Sequence, residues 1–143
     1  MTRLVIAIVL IASCSGKGKG PTNVEPPLPP KRVALTWGFE KQGEMADVFL
    51  ATTDETGKQV STPIGRYKGD CAVITPAKEM NAITGVACKT GGTGTELHAV
   101  VQGGDEVIIL QLGINDGVTP DPMAREEVTR VKVPLGAKIE AGS

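Results

Sequence analysis

Aromatic residues are scarce in this chain: Trp37, Phe39, Phe49 and Tyr67 are the whole set among 143 residues. So few rings offer no run of stacking platforms of the kind that binds single-stranded nucleic acid. Charge of one sign is also missing. Fifteen Lys and Arg oppose sixteen Asp and Glu, a net of −1, which gives no electrostatic footprint for nucleic acid or an anionic surface. There is one His, His98, and there are three Cys. A zinc-type centre would need further imidazole or thiolate ligands beside them, so no metal and no cofactor is implied. Walker and Rossmann glycine spacings and a Ser-His-Asp set are absent. No segment carries an apolar stripe over three helical turns, and no repeat recurs at a period of 20–50 residues. The longest uninterrupted apolar stretch, Leu4–Ala12, is far short of the roughly 20 residues that span a bilayer. What the chain has in quantity is Gly and Pro, 18 and 10 residues, which favour turns over long helices.

Arg3, the apolar run Leu4–Ile11, and Ala12-Ser13-Cys14 follow one another in the order of a secretory signal: a positive charge, a short apolar core, then small residues before a cut. Ile11-Ala12-Ser13-Cys14 resembles the lipobox of bacterial lipoproteins, an aliphatic residue and two small ones before a cysteine. The resemblance covers about the first 14 residues and implies nothing about the rest. It implies that residues 1–13 are a signal peptide removed by signal peptidase II. Cys14 then carries the lipid as the first residue of the mature chain. Ile11 stands where the box usually has Leu. Ser15, not Asp, follows the cysteine, which by the family's sorting rule favours the outer membrane in a cell that has one. One acyl chain anchors marginally, and two or three anchor stably, since each buried methylene contributes about 0.8 kcal/mol.

From Ser15 to Arg32 the chain is Gly/Lys-rich and then Pro-rich, with Val24 and Leu28 as its only large apolar residues. Such a segment cannot bury enough surface to fold, so residues 14–32 form the lipidated cysteine and its tether. Fully extended, the tether would reach roughly 55 Å. Residues 33–143 remain for one β-domain, enough for an independent core but without much surplus.

Within it, Val33, Leu35, Trp37 and Phe39 alternate with small or polar residues, as a strand with one dry face does. Further strands are expected at Asp47–Thr52, Ile64–Thr75, Ile83–Lys89, Leu97–Val101, Glu106–Leu112 and Glu127–Val133, with a short one at Ala137–Glu140. Tyr67, Cys71 and Val73 would share the inner face of the third, and Leu97, Ala99 and Val101 that of the fifth, leaving His98 outward. Val107–Leu110 is continuously apolar, as in a strand covered on both faces. Asp54–Gly57 is a turn, Lys41–Met45 a solvated loop, and Gly103-Gly104 a two-residue hairpin link with positive φ at both positions. Thr75-Pro76 and Asp121-Pro122 each place a capping residue before Pro, as at the start of a helical turn; the turns would be Ala77–Asn81 and Met123–Glu127. The expected fold is a small antiparallel β-sandwich or barrel of seven to nine strands with one or two short helical turns.

With Cys14 lipidated, Cys71 and Cys88 remain, and an exported chain with one pair left is expected to join them in a disulfide. In a hairpin that sets Cys71 opposite Cys88, Val73 faces Val86 and Thr75 faces Thr84. Two-residue redox spacing is absent.

Catalytic chemistry has little to work with. His98 lies two residues from Glu96, and with Tyr67 these are the residues an enzyme would have to bring into one pocket. The loops Gly91-Gly92-Thr93-Gly94 and Asn115–Asp121 are not a phosphate cradle and not an EF-hand. They are the expected contact loops of a binding domain, through Gly91, Gly92, Gly94, Asn115, Asp116 and Asp121. The sequence therefore points to a lipid-anchored envelope lipoprotein, not an enzyme, whose β-domain binds a protein or an envelope polymer. The alternatives are a passive envelope scaffold and a small hydrolase-type enzyme.

Overall fold

The computed structural model describes residues 25–91, 94–115 and 119–142. The alternation that starts at Val33 becomes strand β1, Arg32–Gln42, which turns at Gly43-Glu44 into β2, Met45–Asp54. Gly43 supplies the positive φ of that turn. The expected loop at Lys41–Met45 is thus two strand ends with a two-residue link between them. Asp54 ends β2 by the expected turn: its Oδ1 accepts the Thr56 and Lys58 N–H groups, and Gly57 has φ +87°. β3 follows at Gln59–Tyr67.

The expected strand Ile64–Thr75 is two strands in different sheets. β3 ends at Tyr67, Lys68-Gly69-Asp70 crosses over, and β4, Cys71–Ile74, begins the other sheet. Gly69 permits the crossing: a Cβ there would come within 2.6 Å of the Lys89 Cβ. Beyond β4 a single 3-10 turn, Lys78–Met80, precedes β5, Ala82–Gly91. Ala77, not Thr75, stands at its N-cap with no side-chain cap, and Asn81 closes it in the left-handed region. The remaining strands are β6, Gly94–Gly103; β7, Glu106–Asn115; β8, Thr119–Lys132; and β9, Lys138–Ala141. The second expected helical turn, Met123–Glu127, does not form, because the chain there is part of β8 and its ladder with β7. The β6–β7 link is Gly104-Asp105, one residue on from expectation, and only Gly104 has positive φ. Gly103 stays in the ladder opposite Glu106.

Two sheets result, with strand orders β3-β2-β1-β9 and β4-β5-β6-β7-β8, and among the described residues no ladder joins them. The fold is a sandwich, not a closed barrel. Every pairing is antiparallel except that of β9, which runs parallel to β1 along Arg32–Leu35. Between the sheets lie Val33, Leu35 and Trp37 of β1, Val48 and Leu50 of β2, Val86 and Cys88 of β5, and Val100, Val107, Ile109 and Val131 of β6–β8. Trp37 donates its indole N–H to Thr84 Oγ1 at 3.1 Å across that core, so its one polar atom is satisfied.

The five-stranded sheet buries its other face too. Leu97, Ala99 and Leu112 form a second cluster there with Met80 from the β4–β5 connection, and Ile74 at the end of β4 packs against it. The inward face expected of β6 is therefore this outer one. Val100 and His98 are the side chains that point between the sheets, and His98 is 1% exposed, not outward. The continuous apolar run in β7 serves both clusters: Val107 and Ile109 face in, Leu110 and Leu112 face out. Two residues expected inside are not. Val73 is exposed on edge strand β4, and Phe39 is exposed beyond the point where β9 stops.

Candidate functional site

Cys71 and Cys88 stand directly opposite each other in the β4–β5 ladder, with Val73 opposite Val86 as the expected register requires. They form a disulfide with a Cα–Cα distance of 4.1 Å. The ladder ends at Ile74 opposite Gly85, so Thr75 is outside it. The bond ties an edge strand of only four residues to a buried neighbour, since Cys88 is fully covered.

Close to it the sheet crossing gathers three segments. The β1–β2 turn (Lys41, Gly43, Glu44), the crossing itself (Lys68, Gly69, Asp70) and the end of β5 (Lys89, Gly91) line a depression of about 340 Å³. Gly91, one of the expected contact residues, is therefore on its rim, with φ +102° and Gly94 as its ladder partner. Gly92 lies outside the described residues, and so do Asp116 and the lipidation candidate Cys14. The other expected loop is shorter than the sequence implies. Asn115 pairs with Thr119, and Asp121 pairs with Gly113 inside the β7–β8 ladder, so Asp121 caps no helical turn. The β5–β6 and β7–β8 turns nonetheless lie at the same end of the sheet, because β6 begins where β7 ends (Leu97 opposite Leu112).

The three residues named as an enzyme's requirement do converge. Tyr67, at the end of β3, donates its hydroxyl hydrogen to Glu96 Oε1 at 3.0 Å, and His98 Nε2 stands 3.5 Å from the same oxygen. The Tyr67 and His98 rings meet edge to face at 6.1 Å. Gly65 makes room for this arrangement, since a Cβ there would crowd the tyrosine hydroxyl. Burial first, and then the Glu96 carboxylate, hold the Tyr67 hydroxyl in its protonated form well above its ordinary range. Burial lowers the His98 pKa, and Glu96 opposes that only in part. His98 Nδ1 is buried without a hydrogen-bond partner. None of the three lines a hollow among those on the surface described here. The cluster ties β3 to β6 across the two sheets. Sequence reasoning missed this contact because it placed His98 on the wrong face of β6.

A larger hollow, about 560 Å³, opens on the outer face of the four-stranded sheet and coincides with none of the expected contact residues. Its floor is Phe49, Val48 and Pro63 at the β2–β3 bulge. The Phe49 ring lies across Gly38, where any Cβ would run into it. Arg66 on the rim is held by both carboxylate oxygens of Asp47, at 2.6 and 2.8 Å, and by Gln42. Among the described residues no group of three or more His, Cys, Asp or Glu is placed to hold a metal ion. Comparison of the chain with protein-family models, curated proteins and solved structures gives no match.

Proposed function

We propose that the chain is an envelope lipoprotein, anchored through Cys14, whose β-domain is a non-catalytic binding module for a protein or an envelope polymer. The observation that carries this reading is the Ile11-Ala12-Ser13-Cys14 box, in register behind a charged and then apolar leader and ahead of a Gly/Lys/Pro-rich tether. The Cys71–Cys88 disulfide supports it, since such bonds persist in oxidising compartments outside the cytosol.

The path of β1 supports the binding half of the reading. The tether joins the domain at Arg32, beside Asp54 and Pro134, whereas the depression rimmed by Gly43, Lys68, Lys89 and Gly91 lies at the other end of β1. Eleven strand residues separate the two by about 33 Å. An anchor at the first end leaves the second directed away from the lipid, where a partner can reach it. The contact is made there, by the turns that carry Gly91 and Asn115.

Metabolic labelling with a palmitate analogue tests the anchor, followed by cross-linking in intact cells to test the partner. The wild type takes up label, sediments with membranes and cross-links to a defined species; Cys14→Ser loses label and sedimentation together. Equal labelling of wild type and Cys14→Ser overturns the lipid reading. Cross-linking that is unchanged when Lys68, Lys89 and Gly91 are substituted in a folded protein overturns the placement of the contact.

A further inference from the structure

The hollow on the outer face of the four-stranded sheet is built by one irregularity in β3. Pro63 and Arg66 stand three positions apart, so a regular strand would send them to opposite faces. The register instead sets Asp47 opposite Arg66, Val48 opposite Gly65 and Phe49 opposite Pro63, which leaves Ile64 as an extra residue. That bulge turns both Pro63 and Arg66 onto the outer face, and re-aiming a side chain is what bulges do beside functional sites. The sheet then presents three rows across its strands. Glu40, Asp47 and Arg66 form a charged row, Gly38, Phe49 and Pro63 an apolar row, and Ala51 with Ser61 a third. The hollow draws its lining from all three rows. Its volume of about 560 Å³ falls within the roughly 300–1,000 Å³ of small-ligand sites.

Each row brings a different chemistry. The half-buried Phe49 ring lies across the place that a Gly38 side chain would fill, so it spreads over β1 as an apolar floor. Arg66 is fixed by Asp47 and Gln42, which take the hydrogens of Nε and Nη2. The two hydrogens of Nη1 have no partner among the described residues. Each Asp47 oxygen accepts one of these bonds and keeps a lone pair for another. Glu40 is exposed and has no ion pair among the described residues. The rim therefore donates and accepts side by side. A charged ligand of either sign meets a like charge in the same row. A purely apolar one strips water from the ion pair and replaces none of its hydrogen bonds. A sugar ring suits every row: its C–H face rests on an aromatic ring, and each hydroxyl both donates to a carboxylate and accepts from a guanidinium.

We propose that this hollow is a saccharide-binding site, which seats a pyranose ring of a neutral oligosaccharide on Phe49 and holds its hydroxyls through Asp47, Arg66 and Glu40. The site goes beyond the binding-module reading. It shares no lining residue with the depression at the sheet crossing and does not involve the lipid. Failure of labelling at Cys14, or of contact at Lys68, Lys89 and Gly91, is thus a separate result. Residues 15–23 of the tether supply no large apolar side chain for the Phe49 floor.

The test titrates the full chain with cellotriose, chitotriose and maltotriose and follows the Phe49 ring and Arg66 Nε–H resonances. At least one sugar moves both along one saturating curve, while the Trp37 indole N–H, bonded to Thr84 in the core, stays in place. Phe49→Ala removes the floor and Arg66→Gln the fixed donors, and each weakens binding of that sugar by about tenfold or more. Arg66 is exposed, so its variant keeps the test open where Phe49→Ala fails to fold. Retention of the protein on cellulose, chitin or starch as well assigns a surface polysaccharide, and binding of the trisaccharide alone assigns a free oligosaccharide; both uphold the site. No shift with any of the three sugars overturns the proposal, and so does a shift that survives both substitutions. Trilysine or triglutamate that binds as tightly as the sugar overturns it. Overhauser contacts from the Phe49 ring to residues 1–24 before any sugar is added assign the hollow to the chain's own amino-terminal segment and overturn it as well.

Discussion

On its inner face the five-stranded sheet meets a second sheet, and Val86, Val100, Val107 and Ile109 are covered by side chains from β1 and β2. On its outer face the same strands bury Leu97, Ala99 and Leu112 with Met80, which comes from the short connection between β4 and β5, and against Ile74 just before it. The first core is assembled from strands far apart in sequence; the second is closed by a neighbouring segment of a few residues. Equal burial therefore conceals unequal dependence. Loss of a side chain between the sheets leaves a hole that two ladders hold open, whereas a loss under the connection can be partly filled as that segment settles.

The largest expected effect is at the inner face. Leu50→Ala, at a residue with no exposure, should cost roughly 2–5 kcal/mol by urea unfolding, a large part of the roughly 5–15 kcal/mol that holds a domain folded. Next is the disulfide, which spans 17 residues. Its reduction, or Cys71→Ser with Cys88→Ser, should remove about 3 kcal/mol, seen as a lower melting temperature in reductant. Met80→Ala should cost about 2 kcal/mol, less than Leu50→Ala; equal losses would erase the distinction between the faces.

The smallest effect concerns the polar group placed in the inner core. His98 has a folded pKa below its ordinary value because burial disfavours the imidazolium. The unfolded chain therefore binds more protons, and stability is lost as pH falls through the unfolded value near 6.5. Between pH 7 and 5 the wild type should lose melting temperature, and His98→Leu should lose less. The ion-paired carboxylates of Asp47, Glu106, Glu127 and Glu140 have pKa values already lowered by their Arg or Lys partners, so their contributions disappear at more acid pH. A slope unchanged by the substitution would mean that the acid sensitivity has another source.

Much of this architecture was legible in local pattern. The dry face of β1, the turn at Asp54–Gly57 and the register of Cys71 on Cys88 follow from residue alternation and turn chemistry, both of which act over a few residues. The faces of β6 were not legible. Leu97 and Ala99 make one side more apolar than the side with Glu96 and His98, and alternation cannot tell a local cover from a second sheet. The crossing at Gly69 was hidden for a related reason: Tyr67 and Cys71 face the same core from different sheets, so the alternation runs through the break uninterrupted. That crossing also brings Lys68 and Lys89 to the rim beside Gly91, which is why the candidate site was visible in the sequence only as an isolated glycine loop. Asp121 was misplaced because Asp-Pro has the chemistry of a helix start, and the long ladder of β8 with β7 overrides it.

The parallel pairing of β9 with β1 sets the timing of folding. Arg32 and Lys138 are ladder partners, so the four-stranded sheet cannot close until nearly the whole domain is available, and so distant a contact forms late and slowly. Synthesis, which runs amino end first, delivers β1 long before β9. Until β9 is available the four-stranded sheet lacks its last strand, although β1–β8 already carry nearly all the side chains of the inner core. The same order leaves β1 unpaired on one side until β9 arrives, the interval in which its edge is most open to wrong pairing.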